Sequence, residues 1–151
     1  MRNQKGFTLA EILVVFAIFS IISAVGIVSF AQYSTAHALT ASTANLVSLL
    51  QYTKINALTQ VMPSLCTQQL TKYRLRVLSD TVYEMAADCD GKTYSLRSYS
   101  LSKGVRFDAG GTKDVVFLVG GTTSSGGTII LHGMFSSETI QIDEAGNVTV
   151  E

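Results

Sequence analysis

Between Phe7 and Ala31 the chain reads FTLAEILVVFAIFSIISAVGIVSFA, apolar on every helical face and interrupted by one charge, Glu11. At about 1.5 Å per residue, these 25 residues would reach roughly 37 Å as a helix, enough to cross a hydrocarbon core of about 30 Å. The pattern predicts a transmembrane helix over residues 7–31. From Gln32 to Val61 there is no Gly or Pro, and Leu39, Leu46, Leu50, Ala57 and Val61 recur at spacings of 7, 4, 7 and 4. Those positions share one stripe of a 3.6-residue period, so an amphipathic continuation of the same helix is expected over residues 32–62. Pro63 stands just past its end as a stop signal.

Beyond Pro63 the period changes to two. Tyr73, Leu75 and Val77 alternate with Lys72, Arg74 and Arg76, the pattern of a strand with one wet face. Further apolar runs fall at residues 81–85, 94–101, 105–107, 115–119, 128–131, 139–142 and 148–150. They are punctuated by Gly110-Gly111, Gly120-Gly121, Gly126-Gly127 and Gly146-Asn147. The expectation is about seven short strands in an antiparallel sheet laid on the helix stripe, a β-rich globular domain over residues 63–151. One long helix followed by such a sheet is α+β.

Charge sharpens this division. Lys+Arg and Asp+Glu number 11 each, so there is no basic excess with which to bind nucleic acid by displacing counterions. Only 15% of the chain is charged, against about 25% in ordinary domains, and no Asp, Glu, Lys or Arg lies between Glu11 and Lys54. The flank before the apolar run carries Arg2 and Lys5 and no acid, which keeps the N-terminus cytoplasmic and sends the rest across the membrane. The same layout fits an ordinary signal peptide, with Ala24-Val25-Gly26 as a peptidase site, or a plain membrane anchor.

Glu11 distinguishes the readings. A carboxylate in an apolar span costs about 2.5 to 3.5 kcal/mol at mid-bilayer, and such residues have a partner and a task. Lys5 is one available cation. Another would arise if the chain were cut after Gly6, because Phe7 would then bear an α-amine of pKa about 8, one helical turn before Glu11. Closed between neighbouring chains, that pair would set their register in a low-dielectric medium.

Cys66 and Cys89 both fall in the exported part. A disulfide is the expected state, with two free thiols as the alternative. His37 on the helix and His132, read as an edge-strand side chain, have no second ligand at zinc spacing. Asp143 and Glu144 beside Gly146-Asn147 resemble a calcium loop in composition, but the run is first of all a β-turn. No phosphate loop, nucleophile elbow or paired-carboxylate spacing is present. Neither a metal, a cofactor nor an enzymatic activity is expected.

The run Lys5-Gly6-Phe7-Thr8-Leu9-Ala10-Glu11, set before a long apolar stretch, resembles the class III signal of type IV prepilins and type II secretion pseudopilins. The resemblance implies a pilin-like fold and a leader peptide at residues 1–6. It also implies cleavage by prepilin peptidase between Gly6 and Phe7, N-methylation of Phe7, and Glu11 as the carboxylate that neutralises a neighbour's N-terminus. Implied partners are other pilin subunits in a helical filament, the inner-membrane assembly platform, its cytoplasmic ATPase, and lipid before assembly. Ala10 stands where many relatives have Ile or Val. The apolar helix lacks the Pro of many major pilins, leaving Gly26 as its one breaker. Val105-Arg106-Phe107, the run from Gly127 to Leu131 and the run from Ile142 to Val148 loosely resemble minor pilins and minor pseudopilins. The function expected is that of a structural subunit of a type IV pilus-like filament. A minor pseudopilin of a type II secretion system is the alternative within the family, and an exported binding or enzymatic domain the alternative outside it.

Overall fold

The computed structural model describes residues 8–67, 69–120, 122–123 and 126–151, with the side chains of residues 24–29 left aside. It contains one helix, α1 (Leu9–Leu58), and eight strands: β1 (Leu70–Val77), β2 (Val82–Cys89), β3 (Lys92–Ser100), β4 (Arg106–Phe107), β5 (Asp114–Leu118), β6 (Gly127–His132), β7 (Ser137–Ile142) and β8 (Val148–Val150). The chain divides into two compact units, residues 1–34 and 35–151. This is the α+β, pilin-like arrangement expected from the sequence, a long N-terminal helix whose later part packs on antiparallel strands.

In the first unit α1 is apolar all round. Ile12, Leu13, Val14 and Val15 are consecutive and each is about half exposed or more, as are Phe16, Phe19 and Ile22. A helix hydrophobic on every side belongs in a core or in lipid. Among the described residues no helix is long and apolar enough to cross a membrane. The expected span, residues 7–31, includes Phe7 and the side chains of 24–29, which lie outside that description.

In the second unit the helix is amphipathic, as its spacing predicts. Leu39, Leu46, Leu50 and Ala57 are at most 1% exposed and join one core cluster with Tyr73 and Leu75 of β1, Val115 and Phe117 of β5, Ile129 and Leu131 of β6, and Ile140 of β7. The buried stripe also holds Ser42, Thr43, Thr53 and Asn56, which hydropathy alone passes over. Two of them have visible partners: Ser42 Oγ accepts the Ser102 amide at 3.3 Å, and Thr53 Oγ1 donates to the Leu49 carbonyl at 2.6 Å.

The helix ends at Leu58, three residues before the expected Val61, which is exposed and off the stripe. Gln60 turns left-handed at φ +52°, and the Val61 amide reaches back to the Asn56 carbonyl at 3.2 Å. That six-to-one closure is a Schellman ending with Gln where Gly is usual.

The strands form two four-stranded antiparallel sheets, ordered β3-β2-β1-β5 and β4-β6-β7-β8, in place of the single sheet expected. The cause lies between β4 and β5. Residues 106–112 bond to β6, with Arg106 opposite His132, the Asp108 amide on the Ile130 carbonyl at 2.9 Å and the Thr112 amide on the Thr128 carbonyl at 2.7 Å. Two residues later Asp114 opposes Arg76 of β1. Gly110 and Gly111 form a turn within the stretch bonded to β6, and the chain changes sheets just after it, between Thr112 and Lys113, whose carbonyl accepts the Val77 amide of β1 at 2.8 Å. Gly111 lies so close to β6 that a Cβ there would sit 3.3 Å from the Thr128 carbonyl oxygen. His132 consequently lies on an interior strand, with β4 on one side and β7 on the other, and the edge-strand expectation is corrected.

Candidate assembly site at the helix N-terminus

Thr8 is the N-cap of α1. Its hydroxyl accepts the Glu11 amide at 3.3 Å, while the Glu11 carboxylate accepts the Thr8 amide and the Thr8 hydroxyl, both at 3.0 Å. This is a capping box, two otherwise orphaned first-turn donors satisfied reciprocally. Its signal, Thr-x-x-Glu before an apolar run, stands in the sequence at Thr8-Leu9-Ala10-Glu11, but the reading of Glu11 as a charge in search of a cation passed it by. The carboxylate is set in an apolar surface, since Val14 and Val15, three and four residues on, share its face and are exposed. Gly6 and Phe7, the expected cleavage pair, lie outside the described residues, as do Lys5 and the leader 1–6.

The other candidate residues sit apart from this site. Cys66 and Cys89 are joined in a disulfide, with Cα atoms 5.5 Å apart. It ties the connection after α1 to the last residue of β2, and both cysteines are buried. His132 Nε2 lies 2.9 Å from Asp108 Oδ2. The Gly110 amide donates to the same carboxyl at 2.7 Å, and that bond, followed by His132, holds Asp108 below the ordinary carboxylate range. The pair fastens the turn at Gly110 to β6. At the other end of the hairpin Asp143 spends both oxygens on Asn147, taking its amide at 2.7 Å and its side-chain amide at 2.8 Å. Those bonds, the backbone one first, depress its pKa and describe a turn. Among the described residues no three His, Cys, Asp or Glu side chains are grouped to hold a metal.

The wet face of β1 is more tightly engaged than its alternation implied. Arg74 bridges Asp88 at 2.7 Å and Asp114 at 3.2 Å, with Lys72 at 3.4 Å from Asp88. Arg76 pairs with Glu84, which also accepts the Ser95 hydroxyl at 2.7 Å. Glu84 and Asp88 share a face of β2, and the antiparallel register, which alternation along β1 does not reveal, sets Arg76 opposite Glu84 and Lys72 opposite Asp88.

Residues 1–27 match the prokaryotic N-terminal methylation motif. No curated protein matches the chain. No solved structure matches it. Proteins built on this motif are structural and not enzymatic, and the capped apolar helix described above is the element that the motif opens. The motif supports a type IV prepilin-like protein, and the β-rich globular unit that follows it is compatible with that class.

Proposed function

We propose that this protein is a structural subunit of a type IV pilus-like filament. The observation that carries the reading is the coincidence of the methylation motif over residues 1–27 with an apolar segment, residues 7–31, in which Glu11 is the one charged side chain. Residues 1–6 are the leader, removed by prepilin peptidase between Gly6 and Phe7, and Phe7 becomes the methylated N-terminus. Residues 7–31 hold the subunit in the inner membrane with its N-terminus cytoplasmic, residues 32–62 continue the helix, and residues 63–151 form the head on the far side. Assembly by the membrane platform and its cytoplasmic ATPase then exchanges lipid contacts for helix packing, at little hydrophobic cost because both surroundings are apolar. Glu11 sets the register by meeting the Phe7 amine of a neighbour.

Intact mass and N-terminal analysis of the protein from its native membrane tests this. A mature chain beginning at methylated Phe7 is expected. A chain beginning at Ile27, after an ordinary signal-peptidase cut, overturns the reading, and retention of Met1 leaves a plain anchor or an unprocessed precursor.

A second reading is a minor pseudopilin of a type II secretion system: the disulfide at the start of the globular part supports a minor or pseudopilin-like subunit over a major one and fits either system. Deleting the gene separates the two: loss of surface fibres supports the pilus, whereas loss of a secreted enzyme with fibres intact supports the secretion system.

A further inference from the structure

The hairpin from β6 to β7 turns over Gly133–Ser136, with the Gly133 amide donating to the Ser136 carbonyl at 2.8 Å. Its central residues are Met134 and Phe135, 71% and 64% exposed. Turn centres ordinarily carry Gly, Asn, Asp, Ser or Pro, so two large apolar side chains here serve something other than the turn, and their exposure removes them from the core.

Three contacts place this turn along the second unit's stretch of α1. A Cβ on Gly133 would lie 3.4 Å from the Leu39 side chain. Thr40 Oγ1 donates to Glu138 of β7 at 3.0 Å. At the far end Lys54 Nζ donates to Asn147 Oδ1 at 3.3 Å. The hairpin therefore runs beside the helix with its tip level with Leu39 and its open end level with Lys54. The β3–β4 connection reaches the same end, where the Ser102 amide bonds to Ser42 and the next residue, Lys103, is exposed. Arg106, opposite His132 in the register, is exposed as well. Met134 and Phe135 thus lie, with Lys103, Arg106 and the acid Glu138 around them, at the end of the globular unit where its stretch of α1 begins.

We propose that Met134 and Phe135 form a second membrane contact, a wedge that enters the headgroup layer and orients the globular unit on the bilayer before assembly. The inference rests on the membrane reading above. Leu39 lies eight positions after Ala31, the end of the expected span, a tether that reaches at most about 28 Å even when fully extended. Tethering by the apolar segment holds the turn at high local concentration over lipid, so weak insertion suffices. A protruding pair of side chains suits a fluid interface, which closes around any shape, and Lys103 and Arg106 suit anionic headgroups. A protein partner would call for a broader apolar patch, and Gly133, Ser136 and Ser137 beside the wedge do not supply one.

The chain has no Trp, so Phe135→Trp in the full-length protein is a single reporter, with Met134→Trp as a second variant should the first misfold. Reconstituted into phosphatidylethanolamine and phosphatidylglycerol vesicles, it is expected to emit at shorter wavelength than in denaturant and to lose most of its emission to lipids brominated near the headgroup. Phe19→Trp, in the apolar segment, should be quenched by lipids brominated deeper, and Leu65→Trp, past the end of α1, by neither. Quenching at 19 without quenching at 134 or 135 overturns the wedge and leaves the membrane reading standing; no quenching at any of these positions overturns both. Blue-shifted emission at 135 that lipid does not quench, and that reverts when the protein is diluted in the bilayer, puts another copy against the turn and overturns the lipid assignment.

Discussion

The Glu11 carboxylate is held by Thr8 of its own chain, through the backbone amide and the hydroxyl, each at 3.0 Å. The acid assigned to assembly therefore has an occupation before assembly begins. Capping interactions of this kind contribute about 1 kcal/mol, whereas deleting one partner of a buried ion pair costs about 3 to 5 kcal/mol. A neighbour's amine in an apolar surround can consequently draw Glu11 away from the cap.

The two roles separate by mutation. Thr8→Ala should weaken the helix start by about 1 kcal/mol yet leave filament incorporation near the native level, because the carboxylate remains. Glu11→Val should insert into the membrane at least as well as the native chain and fail to enter filaments. Immunoblots of membrane and sheared-fibre fractions measure both, and native-level incorporation of Glu11→Val would show the register role to be wrong.

Gln60 closes the helix in a left-handed conformation at φ +52°. Glycine adopts that geometry without a Cβ clash, so Gln60→Gly should raise stability by about 1 kcal/mol, and Gln60→Val should lower it. Denaturant midpoints in detergent decide, and a destabilised Gln60→Gly would mean that the side chain makes a contact outweighing the strain.

The Cys66–Cys89 bridge encloses a sequence separation of 23 residues, for which the chain-entropy account gives about 3 kcal/mol. Cys66→Ser with Cys89→Ser should lower the melting temperature of the globular part and leave N-terminal processing unchanged. Equal melting with and without reductant would contradict this.

Glu84 carries the pH dependence of the outer sheet face. Burial pushes its pKa up, but hydrogen bonds from Ser95 and Arg76 and the Arg76 charge outweigh burial and bring it below 4.5. The folded carboxyl thus binds protons less readily than the unfolded one, and its contribution is complete above the ordinary value and is lost as pH falls below that value through the lowered folded pKa. Unfolding midpoints followed from pH of about 6 down to about 3 should drop, and Glu84→Gln should flatten that drop while lowering the plateau. A native slope retained by Glu84→Gln would assign it to other acids.

What the sequence determined by itself was whatever depends on local period and local chemistry. The stripe of Leu39, Leu46, Leu50 and Ala57 is buried as its spacing requires, because 3.6-residue recurrence puts those side chains on one face whatever they meet. The strands fall where apolar runs predict them, Val148–Val150 to the residue, and the Thr8–Glu11 box was equally local and open to reading. Gly6 and Phe7 lie outside the described residues, so for them the motif speaks alone. Tertiary structure decided which backbones share hydrogen bonds. Whether residues 106–112 turn to β6 while Asp114 turns to β1 depends on partners many positions away, such as Ile130 and Arg76, and hydropathy along the chain carries no record of that choice. The same holds for Arg74, which alternation marks as wet and which the register of β2 and β5 brings between Asp88 and Asp114: a charge's exposure is set by what lies across from it, and only the fold decides what that is.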